Sequence, residues 1–361
     1  MAKFKLALGV LASLLFALAP AAVVYAKDAN SKSSVSKKQP KKVKVVLRKG
    51  AHSTAAAPRE KTVRRVITVH GKRKVVYQKV SSAAVAMAAP IPTMGDLAGL
   101  NLTRDPLDLK SSVALVLDQA NAEVLFEKNS NVALPIASIT KMMTGLVVVE
   151  AHQDMDEVLT VTDDDVDRAK FSSSRLKVGS QLTRANMLHI ALMSSENRAA
   201  SALGRNYPGG LPAFVDAMNA KARQLGMMDT HYVDSSGLSK MNVASAHDLA
   251  KLAMAAFQQP LLRQYSTDPK AIVEASGHPM QFGNTNHLVA NPGWEIGLQK
   301  TGFINEAGRC LMMQAVIEGR SVIMVFLDSK GKQSRTADAG RMRKWLEALK
   351  PANINMSLPG G

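Results

Sequence analysis

Charge is divided along this chain more sharply than any other property, and that division decides where a core can form. Between Lys27 and Val80 there are 17 Lys and Arg against Asp28 and Glu60 alone; apart from Lys3 and Lys5, the rest of the chain balances 27 basic residues with 27 acidic ones. Stretches such as KKQPKKVKVVLRKG repel themselves and offer too little apolar surface to offset the entropy of ordering. Residues 27–104 are therefore expected to be a basic, mostly disordered arm and linker, with a folded domain over 105–350 and a short tail at 351–361. A short hairpin around His70-Gly71 is the one ordered feature the arm suggests, although its flanks alternate only loosely. The plain reading of the arm is a solvated tether, and the functional one is electrostatic contact of residues 27–80 with an anionic polymer or membrane surface. Nucleic acid is not expected: the arm offers only Tyr77 for stacking on bases.

The first 26 residues carry Lys3 and Lys5, an apolar run from Leu6 to Ala19, and the small-residue end Val24-Tyr25-Ala26. That layout predicts a cleavable secretory signal peptide, and hence export to the periplasm, over a permanent membrane span. Cys310 is the single cysteine, so no internal disulfide can form and stability must come from the core. Its apolar surroundings predict burial over reactivity.

Within 105–350 the pattern predicts a strand hairpin from Val113–Asp118 and Val124–Lys128, then an apolar helix containing Lys141. Two helical patches follow between Thr183 and Arg205, with Thr183 as cap. Another helix over Leu211–Leu225 stops at Gly226, and Ser245 with Asp248 opens a further one in capping-box fashion. Three apolar strands close the domain, at Ile296–Phe303, Cys310–Glu318 and Val322–Asp328, before an amphipathic helix over Arg335–Leu349. Strands early and late, with helices between, predict an α+β domain in which the chain returns to complete one sheet.

Ser-x-x-Lys occurs at Ser34, Ser138, Ser174 and Ser329. Only Ser138 falls at the start of a buried-type helix, where residues three apart share a face and free N–H groups favour an oxyanion. A simple helix cap is the bland alternative for that serine. Two further elements argue against it: Ser195-Glu196-Asn197 between helices, and Lys300-Thr301-Gly302 on a strand. A serine hydroxyl needs a base within hydrogen-bond reach, yet no histidine lies within ten residues of Ser138 in sequence and no Gly-x-Ser-x-Gly elbow exists. Lys141 is then the candidate base, provided burial and a nearby cation, Lys300, lower its pKa from about 10.4 toward 7.

In this order and spacing, together with LMSSENRAA, NTNHLV and KTGFINEAGRC, the motifs resemble those of the penicillin-recognising serine D-alanyl-D-alanine peptidases, the low-molecular-mass penicillin-binding proteins. The likeness covers about 105–350. It implies a β-lactamase/transpeptidase-like fold: a five-stranded antiparallel sheet flanked by helices, plus a mostly helical subdomain. It also implies peptidoglycan peptides as substrate, β-lactams as covalent inhibitors, and an acyl-enzyme on Ser138. Ser195 would relay a proton to the leaving amine, and Asn197 would hold the substrate's peptide group. Lys300 and Thr301 would bind the carboxylate beside the scissile bond, and the N–H groups of Ser138 and Phe303 would form the oxyanion hole. Gly302 would let the substrate backbone approach its strand.

Between Asn197 and Lys300 the only glutamates are Glu274 and Glu295, neither in a motif suited to deacylating a penicilloyl enzyme, so β-lactamase activity is not expected. The detailed likeness, and a chain ending soon after Lys350, favour an endopeptidase cutting D-alanine to meso-diaminopimelate cross-links. A D-alanyl-D-alanine carboxypeptidase and a noncatalytic peptidoglycan-binding protein stay open. No cofactor or metal is expected. Asp163, Asp165 and Asp167 have calcium-loop spacing, but Arg168 and Ser174 stand where Gly and Glu are needed, so a solvated acidic turn is expected instead.

Overall fold

The computed structural model describes residues 60–69, 72–81 and 91–349. The proposed signal peptide, the His70-Gly71 pair and the tail at 351–361 lie outside them. The chain divides into two units, Met1–Val85 and Ala86–Gly361. In the first, β1 (Glu60–Val69) and β2 (Lys72–Ser81) run antiparallel, Glu60 opposite Ser81 and Val69 opposite Lys72. The hairpin suggested around His70-Gly71 thus has a ten-residue ladder in its flanks, and the rest of the arm lies outside the described residues. Val, Ile, Thr and Tyr sit between the charges in those flanks and supply β propensity that a count of charge overlooks.

In the second unit the fold begins before residue 105. Helix α1 (Met94–Leu97) is capped reciprocally by Thr93 and Asp96, and the Met94 N–H donates to Glu306 O at 2.9 Å. Next come β3 (Ser111–Asp118), β4 (Val124–Lys128), β5 (Leu134–Pro135), α2 (Thr140–Glu150), β6 (Val158–Thr160), β7 (Gln181–Thr183), α3 (Arg184–Met193), α4 (Asn197–Arg205) and α5 (Gly210–Gln224). Then follow β8 (Val243–Ala244), α6 (Ala246–Phe257), α7 (Pro260–Thr267), β9 (Lys270–Ala275), β10 (His278–Gly283), β11 (Glu295–Ile304), β12 (Gly308–Ile317), β13 (Arg320–Ser329) and α8 (Ser334–Ala348). The predicted α+β architecture is present: the main sheet has five antiparallel strands in the order β11-β12-β13-β3-β4, the late strands joining the early ones through β13 and β3.

Both faces of this sheet are covered, which explains why its central strands read as unbroken apolar runs. Val113, Leu115, Ile323 and Val325 point into the larger core shared with α2 to α7, while Ala114, Val116, Met324 and Phe326 pack toward Met342 and Leu346 of α8. Helix α2 is buried all along Thr140–Val148 and passes through the helical subdomain as a central post. Ser245 accepts the Asp248 N–H at 3.3 Å, but the Asp248 carboxylate turns away to the Asp229 N–H and the Thr230 hydroxyl, leaving the expected capping box half formed. The expected solvated acidic turn is also corrected. Asp165 is buried, caps Thr162 N at 2.8 Å and pairs with Arg205 at 2.9 Å, so its charge is spent on structure.

Candidate active site

The nucleophile segment is shaped by a two-residue ladder. β5 pairs with β8, and the Ile136 N–H donates to Asn242 O at 3.1 Å, drawing residues 134–139 beside the loop 231–242. Ala137 then adopts φ 48°, in the left-handed region, before a 3-10 turn over Ala137–Ile139 feeds α2. Such a conformation is costly for a residue with a Cβ and marks a position that its surroundings over-determine. The surroundings are two glycines. A Cβ on Gly237, itself at φ +80°, would fall 2.0 Å from Ala137 O, and one on Gly302 would fall 2.8 Å from Ile136 O and 3.1 Å from Ser138 N. Gly302 therefore serves the close approach of β11 to the Ser138 turn.

Ser138 does not act as a helix cap: no side chain caps α2, and Ser138 Oγ lies 2.9 Å from Lys141 Nζ. Lys141 is fully buried, and its Nζ also donates to Asn197 Oδ1 at 2.7 Å and to Ser236 O. These last two oxygens can only accept, so they fix two of the amine's hydrogens. The third tetrahedral position points at Ser138 Oγ, where a neutral amine would place its lone pair. Burial lowers the Lys141 pKa to about 7, against the opposing pull of Asp234 and Glu196.

Lys300 is buried as well; its Nζ lies 2.9 Å from Ser195 Oγ and 2.9 Å from Thr301 O. Its pKa is driven well below the usual lysine range, first by burial and then by repulsion from Lys141 and Arg335. Burial and the mutual repulsion of the two amines thus act together to disfavour protonation of this pair. Ser195, at φ 61° in the turn between α3 and α4, is the second strained residue here. The Thr301 hydroxyl lies 2.6 Å from that of Thr285, and Phe303 is exposed, with Arg309 stacked 4.6 Å from its ring centre. β11 is an edge strand, so among the described residues its outer backbone groups have no strand partner.

The structure therefore brings Ser138, Lys141 and Asn197 into one hydrogen-bonded cluster and Ser195 with Lys300 into a second, close enough for the charge of Lys141 to act on Lys300, with Thr301, Gly302 and Phe303 along the adjoining edge. Sequence reasoning missed three participants. The Asp234 carboxylate accepts the N–H groups of Ser236 at 2.7 Å, Gly237 at 2.6 Å and Ser239 at 2.9 Å, and so turns Ser236 O toward Lys141. Asp-Ser-Ser-Gly is a turn signal, but nothing local says what the turn faces. Arg335, at the start of α8, donates to Gly302 O at 2.7 Å and to Cys310 O at 3.2 Å; burial lowers its pKa to about 10. Thr285 lay within a quoted motif without a role. Cys310 is buried, its thiol pushed up to about 12.

With this geometry in place, comparison with known proteins is informative. A family model described as D-alanyl-D-alanine carboxypeptidase, peptidase family S11, matches residues 101–331. A D-alanyl-D-alanine endopeptidase of Pseudomonas aeruginosa is 48% identical over 275 residues, covering 75% of this chain and 86% of that protein. One from Escherichia coli K12 is 42% identical over 272 residues, covering 74% and 88%. Among solved structures, the Streptomyces K15 DD-transpeptidase aligns with a TM-score of 0.62 at 25% identity, over 67% of this chain and 98% of that one.

Proposed function

The chain belongs to the D-alanyl-D-alanine carboxypeptidase family, peptidase family S11, and from that premise we propose that it is a serine DD-endopeptidase that opens peptidoglycan cross-links through an acyl-enzyme on Ser138. The observation that carries this reading is the Lys141 amine, held by two carbonyl acceptors with its remaining position 2.9 Å from Ser138 Oγ.

In acylation, neutral Lys141 takes the hydroxyl proton as Ser138 Oγ attacks the D-alanine carbonyl carbon. The N–H groups of Ser138 and Phe303 receive the oxyanion, each donor contributing about 3 kcal/mol in the transition state. As the C–N bond breaks, Ser195, its hydroxyl oriented by Lys300, passes its proton to the departing amine and takes the proton held by Lys141, which is neutral again. Water then attacks the ester carbonyl and gives a proton to Lys141, which returns it to Ser138 Oγ as the ester C–O bond breaks. Asn197 holds the acyl-side peptide. The carboxylate beside the scissile bond meets the Thr301 hydroxyl and the Lys300 side chain, with the Arg335 guanidinium at Gly302 O adding positive field. β-Lactams enter the same acylation step and are expected to leave slowly.

Preference for the endopeptidase reaction rests on the relatives: those at 48% and 42% identity are named endopeptidases, while named carboxypeptidases of Bacillus subtilis and Mycobacterium tuberculosis stand at 29% and 30%. Purified protein incubated with cross-linked muropeptide dimers should release monomers. Release of terminal D-alanine from uncross-linked pentapeptide, with dimers left intact, would move the assignment to carboxypeptidase. Residues 1–26 would direct export to the periplasm, and the basic segment 27–80 would add electrostatic contact with an anionic envelope polymer. Among the described residues, no helix is long and apolar enough to cross a membrane.

A further inference from the structure

A groove of about 460 Å³ runs between the loop 175–180 and the β9–β10 hairpin, and two sets of contacts tie its walls to the leaving side of the cleft. Just past β10, the Thr285 N–H donates to Met193 O at 3.0 Å and the Thr285 hydroxyl meets that of Thr301 at 2.6 Å. From the other wall, the Arg175 guanidinium donates to Gln281 O, reaches Ser194 Oγ at 3.4 Å and stacks 3.9 Å from the centre of the Phe282 ring. Thr301 marks the carboxylate of the departing residue and Ser195 its amine. A chain attached beyond that residue therefore has Arg175, and then the groove, before it.

The lining carries one sign of charge. Arg175 and Lys177 are exposed in it, His278 adds a ring N–H, and no carboxylate lines it. Lys177 forms no ion pair or side-chain hydrogen bond among the described residues. The hairpin's own acid, Glu274, belongs to the other face: Ile272 and Glu274 are exposed, whereas Val273 and Ala275 are buried, with Met280 and His278 as their cross-strand partners. Val178, Ala275 and Met280 complete the groove as an apolar stretch between the polar groups. Two cations beside such a stretch suit a peptide of small aliphatic side chains and free carboxylates, and oppose a cationic one.

We infer that this groove receives the acceptor stem of the cross-link, the peptide attached to the departing amine, and that Arg175 and Lys177 recognise the free carboxylates of its γ-linked glutamate and its C-terminal residue. The inference rests on the endopeptidase reading above and deepens it. A free D-alanine leaving group is too short to reach Lys177, so the groove contributes only when the departing amine belongs to a second stem.

Two cross-linked dimers test the assignment through kcat/KM, alongside acylation by benzylpenicillin, which brings no acceptor stem. They differ only in whether those two acceptor carboxylates are free or amidated, the carboxylate beside the scissile bond being free in both. Wild-type protein should favour the free-carboxylate dimer by about fivefold, the effect of two exposed ion pairs, and the preference should shrink as salt rises. Lys177→Gln, at an exposed site that should not disturb folding, should bring the ratio below about two. Protein that is acylated and opens both dimers equally, or a ratio unchanged in Lys177→Gln, would overturn the groove's assignment and leave the endopeptidase reading intact. Acylated protein that opens neither dimer would remove the endopeptidase reading, and failure of acylation the peptidase reading itself, each taking the groove's assignment with it.

Discussion

Ala137 and Ser195 hold left-handed backbone at φ 48° and 61°, and at Ala137 the neighbouring Gly237 and Gly302 leave the turn its room. Gly302→Ala places a Cβ 2.8 Å from Ile136 O and 3.1 Å from Ser138 N. The strand or the nucleophile turn must then move, which should cost about 1–3 kcal/mol of stability and, through misplacement of Ser138, about a hundredfold in acylation rate. Stopped-flow acylation paired with thermal unfolding checks both; an unaltered rate would contradict the packing argument. Lys141, lowered to about 7, is the base only when neutral, so acylation should fall roughly tenfold per pH unit below about 7. The same amine sets a stability slope: between about 7 and 10.4 the unfolded chain carries a proton the folded chain lacks, so stability from this group rises with pH across that window. Burial of Cys310, with its thiol near 12, predicts no labelling of native protein by iodoacetamide at pH 8. Ser138, Lys141 and Lys300 were legible in the sequence because motif spacing and apolar context coincide at each. Asp234 and Arg335 were not, because their roles depend on which backbone groups the fold brings to them.

At the scale of elements, the turn 234–242 matters as much as α2. It supplies Ser236 O to the base, packs Gly237 under Ala137, and is itself organised by one carboxylate and by the Asn242 amide, which donates to Asp234 O at 2.9 Å and Thr140 Oγ1 at 3.1 Å. Asp234 favours the protonated form of Lys141. Replacing it by Asn, which keeps an acceptor but removes the charge, should move the acid limb of acylation to lower pH; a shift to higher pH would show that turn geometry outweighs charge here. The strands β3, β12 and β13 were readable from their apolar runs and α3 from its Thr183 cap. The elements α7, β9 and β10 were not assigned, although Pro260 at the first turn of α7 and the Ser276-Gly277 pair between the strands are standard start and turn signals. With Ile272 exposed and Lys270, Glu274 and His278 charged or polar, that hairpin lacks the clear apolar alternation that would identify it.

For the whole molecule, the chain divides into two units at Val85 and Ala86, and the second unit's first helix is already formed at Met94, ahead of the expected start at 105. The ladder at 60–81 flanks the hairpin suggested at His70-Gly71, and net charge alone would not point to it, since strand pairing depends on alternation and β propensity. If residues 27–80 bind an anionic polymer, sedimentation of the full chain with isolated sacculi should weaken steeply as salt rises, and a chain lacking 27–80 should lose most of that binding; salt-insensitive binding would contradict the electrostatic reading. The most direct test of the central claim is acylation by benzylpenicillin followed across pH 5 to 9, with the modified peptide mapped by mass spectrometry. The account predicts a single adduct on Ser138, absent in Ser138→Ala, whose rate of formation rises with one ionisation near pH 7 and loses that limb in Lys141→Ala. An adduct elsewhere, or a rate indifferent to Lys141, would contradict it.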